Sequence, residues 1–99
     1  MKVKNLNGTS DNPKCPCGTW IKHWKNYTNI SNPACFEDSC KESGTEGAHV
    51  QKFDSDMSWY IIPLCKHHNG LHGATIEIPD AYKQFLVPVT ARDKCIREV

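Results

Sequence analysis

No apolar run in this 99-residue chain approaches the roughly 20 residues that a membrane-spanning helix needs, and the opening MKVKNLNGTSDN has no apolar core of the kind a secretory leader requires. The sequence therefore points away from a membrane and toward the compartment of synthesis, read as cytoplasmic. It also lacks an internal repeat and any low-complexity block, which excludes a stacked-repeat architecture. Net charge is close to nil, with 12 Lys and Arg against 11 Asp and Glu, and so argues neither for nor against a nucleic-acid partner. Acid is scarce in one part of the chain. Residues 1–34 carry five lysines against Asp11 alone, whereas residues 35–60 carry six acids against Lys41 and Lys52.

Six cysteines and five histidines are what the chain does have. A domain of this size buries a modest core and commonly depends on a disulfide or a metal for support. Three N-x-S/T sequons, at Asn7, Asn26 and Asn29, would suit a secreted glycoprotein if the cysteines formed three disulfides. The same cysteines at irregular spacing, together with the histidines, are equally what a metal-binding domain offers.

Residues 1–13 are polar, rich in Lys and Asn, and read as a flexible N-terminal arm, which leaves residues 14–99 as a single domain. After the tight turn CPCG, Thr19 can cap a helix in which Trp20, Trp24 and Tyr27 recur on one face. AHVQKF and WYIIPL read as two strands of a hairpin. CKHHNGLHG can open a short helix at Cys65, ATIEIP reads as a further strand, and DAYKQFL as a helical turn or two capped by Asp80. The last residues, PVTARDKCIREV, carry no clear signal, and Cys95 among them is read as an unliganded thiol.

Cys35 and Cys40 form a C-x4-C pair, and Cys65 and His68 form a C-x2-H pair about two dozen residues on. Two short-spaced pairs supply the four tetrahedral N and S donors of a structural zinc site with little loop-closure cost. The C-x2-H spacing suits ligands presented by the first turn of a helix. Cys15 and Cys17 suggest a second zinc, with His23, His49 and His72 as the available partners; the alternatives are that one of them joins the first site or that both are free thiols in a turn.

In chain order, the C-x4-C knuckle, the hairpin that opens with AHV and the strand IIPL feeding CKHHN resemble the HNH endonuclease-like ββα-metal domains, a branch of the treble-clef zinc folds. The resemblance covers roughly residues 35–72. It implies a small α+β zinc-binding domain with a treble-clef hairpin plus helix, here with an extra N-terminal helix. It also implies that Cys35, Cys40, Cys65 and His68 hold a structural zinc, and that His49 stands where the family has its general base, which activates water against a phosphodiester with help from a divalent metal. Two positions depart from the family. Ala48 stands where an Asp or His commonly precedes the base, and Asn69 stands where a metal-binding His commonly follows the last zinc ligand. Sliding the register to His67 and His68 breaks the C-x2-H spacing, and His72 could rescue a catalytic metal only with Glu46 or Asn69. The expected function is thus a zinc-binding domain that binds DNA, RNA or a protein partner, with an active endonuclease as the alternative. Nothing in the sequence decides its oligomeric state.

The segment GTWIKHWKNYT interleaves aromatics with Lys22, His23 and Lys25 and could meet nucleic acid by stacking and phosphate contact. The same spacing is that of an aromatic stripe packed into a core, with the lysines left on the outer side.

Overall fold

The structure is a computed structural model that describes residues 1–6, 18–53 and 56–91. The chain runs as β1 (Lys2–Asn5), α1 (Trp20–Thr28), β2 (Glu46–Lys52), β3 (Trp59–Leu64), α2 (Lys66–Asn69), β4 (Thr75–Glu77), a 3-10 helix (Asp80–Phe85) and β5 (Val87–Pro88). The strands form one five-stranded antiparallel sheet in the order β4-β1-β2-β3-β5. The result is a small α+β domain, as expected.

The expected hairpin forms between β2 and β3, with Glu46 opposite Leu64 and Gln51 opposite Trp59. The expected helix also forms. Thr19, in extended conformation, accepts the Lys22 backbone N–H at its start, and Asn29, at a left-handed φ of 61°, closes it by donating its N–H to the Lys25 carbonyl. Trp20 and Trp24 are buried and Tyr27 is half-buried, so the aromatic stripe is core, while Lys22 is exposed. Trp24 donates its indole N–H to the Phe85 carbonyl (2.7 Å) and meets Phe36 edge-on at 5.6 Å.

Gly47 lets α1 approach β2 closely. A Cβ there would stand 2.3 Å from the Ile21 backbone nitrogen and 2.4 Å from the Trp20 carbonyl carbon. Residues directly opposite in an antiparallel pair share a side of the sheet. Gly47 and His49, with Pro63 and Ile61 opposite them, therefore lie under α1, and Ala48, Val50, Ile62 and Leu64 fill the other side.

The flexible arm expected over residues 1–13 is corrected for its first residues, because Lys2–Asn5 is an inner strand. β1 pairs with β2 on one side and with β4 on the other, burying Val3 and Asn5 while Lys2 and Lys4 stay exposed. Four residues with one apolar side chain pointing inward are too short to show a period, and the Lys and Asn content masked them. The rest of that span, from Asn7 on, lies outside the described residues. Two smaller expectations also change. Asp80 does not cap the helical turn, whose preceding residue Pro79 makes no side-chain cap; its carboxylate instead accepts from the Met1 ammonium at 2.6 Å. Val87–Pro88, which carried no signal, pairs with Tyr60 and Ile61 as the edge strand β5.

Candidate metal centre

The knuckle that carries Cys35 and Cys40 is closed by an antiparallel bridge between Ala34 and Ser43, with Cys35 N–H donating to the Glu42 carbonyl (2.8 Å) and Cys40 N–H to the Glu37 carbonyl (3.0 Å). It is anchored twice. Phe36 N–H donates to the Pro63 carbonyl at the end of β3, and the Phe36 ring packs between Trp24 and Tyr82. Gly44 is needed where the knuckle passes this strand, since a Cβ there would lie 2.6 Å from that of Pro63.

β3 then delivers Cys65 to the same place. Cys65 is the extended residue before α2, and its Sγ accepts the His68 backbone N–H at 3.4 Å. The C-x2-H spacing thus acts as a helix cap as well as a ligand pair, and it turns the His68 ring back toward the cysteine that caps it.

The four donor atoms of Cys35, Cys40, Cys65 and His68 lie within 4.8 Å of one another. Cys40 Sγ is 3.9 Å from Cys65 Sγ, and His68 Nδ1 is 3.6 Å from Cys35 Sγ and 3.2 Å from Cys65 Sγ. Zinc–sulfur and zinc–nitrogen bonds of ~2.3 and ~2.0 Å at tetrahedral angles put neighbouring donors about 3.5–3.8 Å apart. The observed spacings fall around those values, so the cluster fits one metal ion. They do not fit a disulfide, whose sulfurs stand about 2.05 Å apart, and Cys35, Cys40 and Cys65 are free thiols. Among the described residues this is the one group of three or more His, Cys, Asp or Glu side chains with converging donors.

The electrostatics follow from burial and contact. Burial pushes the Cys35 thiol up to about 12. For Cys65 burial also raises the thiol, but hydrogen bonds from the His68 backbone and ring and from Cys35 and Cys40 outweigh it and bring it to about 7. A bound divalent cation would hold these ligands as thiolates. With Nδ1 facing the sulfurs, His68 Nε2 points to Glu37, whose Oε1 is 3.9 Å away. That carboxylate is fixed by the Ser39 hydroxyl (2.7 Å) and backbone N–H (2.9 Å), and the Ser39 hydroxyl is the main cause that holds it below the usual carboxylate range. A carboxylate behind a ligating imidazole orients the ring.

Two contributors escaped the sequence reading. Glu37 lies inside the knuckle, where its spacing to His68 carries no pattern. Asn5, almost fully buried, directs its amide Nδ2 at the carbonyl oxygens of His68, Asn69 and Leu71 (3.0–3.2 Å), so β1 holds the end of α2 in place.

The remaining candidates are dispersed. His49 sits in mid-strand, 2 % exposed, with its ring edge-on to Trp20 at 4.8 Å and to Trp59 at 6.1 Å; neither ring nitrogen has a hydrogen-bond partner among the described residues. Burial, then the nearby His23, lowers its pKa to about 4. His23 donates Nε2–H to the Pro88 carbonyl at 3.0 Å. His67 and His72 are exposed and stand outside the cluster. Ala48 is fully buried. Cys15, Cys17 and Cys95 lie outside the described residues.

Comparisons with protein-family models, with curated proteins and with solved structures find no match. The functional reading therefore rests on geometry. No helix among the described residues is long and apolar enough to cross a membrane.

Proposed function

We propose that this protein is a small HNH-like, treble-clef zinc domain that binds nucleic acid or another macromolecule, with the zinc in a structural role. The convergence of Cys35, Cys40, Cys65 and His68 carries the reading, because four protein donors complete a tetrahedral shell and leave no open position for substrate. The chain order supports the family likeness: a two-cysteine knuckle, then the β2–β3 hairpin, then a helix that starts at the second ligand pair. Bound zinc would contribute on the order of 10 kcal/mol, comparable to the whole stability of a typical domain of this size. Adding a strong chelator should therefore abolish the far-ultraviolet circular dichroism of the fold, and zinc should restore it. A fold that survives complete metal removal would contradict the structural role.

No observation favours phosphodiester cleavage over this reading. His49 is enclosed by Trp20 and Trp59, and Ala48 offers no donor atom. A nicking assay on supercoiled plasmid with Mg2+, Mn2+ or Ni2+ should show no cleavage; cleavage abolished by His49→Ala would restore the endonuclease reading.

A further inference from the structure

Helix α1 covers only one end of its side of the sheet. The register places the row His49–Ile61 beneath it, and the next row along, Thr75, Lys4, Gln51 and Trp59, crosses four adjacent strands on the same side. Thr75 and Lys4 are exposed, and Trp59 is 39 % exposed. One row further on stand Lys2 and Glu77, both exposed, with Phe53 just past the end of β2 and 59 % exposed. These exposed rows carry two lysines about 7 Å apart along one strand and an indole two strands away.

We propose that this exposed face, built around Lys2, Lys4 and Trp59, binds single-stranded nucleic acid; the proposal rests on the macromolecule-binding reading above and names its surface and ligand. Charge complementarity selects the occupant. Glu77, the acid in these rows, stands opposite Lys2 but has its carboxylate 3.2 Å from the Met1 ammonium, and among the described residues neither Lys2 nor Lys4 forms a salt bridge. Lys52, by contrast, lies on the other side of the sheet and is engaged by Asp56 at 3.4 Å. Isolated aromatics set among cations match the alternation of base and phosphate in a single strand, whereas a protein partner's apolar segment would need a continuous apolar patch. Trp59 is braced edge-on by the buried His49 ring, which holds the indole in place for stacking. Among the described residues these rows are formed by strands beside α1 and carry no helix of their own to enter a duplex groove, so a single strand is the form they fit.

The test is fluorescence anisotropy of the zinc-loaded full chain with labelled oligothymidylate and oligouridylate and with a duplex of equal length, across a salt series. Single strands should bind more tightly than the duplex. Trp59→Ala should weaken them by about tenfold, the loss of one stacked base. The double variant Lys2→Ala/Lys4→Ala should lower the slope of log affinity against log salt by about 1.4, the loss of two phosphate contacts. It alters only exposed side chains, so it remains informative if the Trp59 variant folds poorly, and Lys83→Ala, on the 3-10 helix, should bind like the parent. Single strands bound equally by the parent and the double variant would overturn the face while leaving nucleic-acid binding intact. Preference for the duplex would overturn the choice of ligand. Absence of binding by fully zinc-loaded protein at the lowest salt would overturn both this proposal and the nucleic-acid reading, without touching the zinc assignment.

Discussion

Cys65 shows how one side chain does two jobs, since its sulfur caps α2 and faces the metal position together with His68. This double use is why C-x2-H could be read from sequence: the spacing follows from helix geometry alone. Asn5 could not be read that way, because nothing local distinguishes a structural asparagine from one in a polar tail. Its amide meets three carbonyls around the end of α2. Asn5→Ala should therefore cost about 1–2 kcal/mol, through the lost amide bonds to these part-buried carbonyls, of which those of His68 and Leu71 keep backbone donors, measured as a lower urea midpoint. His49 gives a prediction in pH. Its folded pKa near 4 lies below the ordinary 6.5, so the unfolded chain takes up the proton more readily between those values. The stability tied to neutral His49 is complete above about 6.5 and is lost as pH falls toward 4, by roughly 2 kcal/mol after allowance for solvent screening. In His49→Phe that component should vanish, so the parent should lose stability relative to the variant by this amount as pH falls from about 6.5 toward 4. Parallel curves for the two proteins would contradict the burial of a neutral imidazole.

At the scale of elements, α1 and the β2–β3 hairpin were legible because each has a long enough period, 3.6 or 2, to stand out. β1 and β5 were not. β1 has four residues with Asn among its inward positions, and β5 has two residues including Pro88; both are strands because neighbouring strands hold them. The contact between α1 and β2 makes a sharp prediction at Gly47, where an added Cβ meets backbone atoms that cannot rotate away. Gly47→Ala should force α1 off the sheet and cost about 1–3 kcal/mol, seen as a lower midpoint in chemical unfolding. Deleting residues 1–6 should do more than trim a tail. It removes the strand that joins β2 to β4 and the Asn5 contacts to α2, so the truncated chain should lose cooperative unfolding, whereas a dispensable arm would leave it unchanged.

Across the whole molecule, the Cys35, Cys40, Cys65 and His68 cluster sits where the knuckle meets the end of β3 and the start of α2. Phe36, next to Cys35, packs between Trp24 and Tyr82, so the knuckle is part of the core, and the Asp38 N–H to Glu77 carbonyl bond (2.8 Å) ties it to β4 at the far edge of the sheet. Losing the metal would release the knuckle, α2 and β4 together. The ligand set was legible because short-spaced pairs announce themselves; the sheet that brings the pairs together was only half legible, since its inner strand was hidden in a polar segment.

Elemental analysis of the purified full chain decides whether Cys35, Cys40, Cys65 and His68 hold one structural zinc. One tightly bound zinc per chain is expected, lost in Cys65→Ser and Cys35→Ser; a second ion that persists in those variants would bring in Cys15 and Cys17. A folded parent chain that carries no metal, or that keeps its full zinc content in both variants, would contradict the assignment.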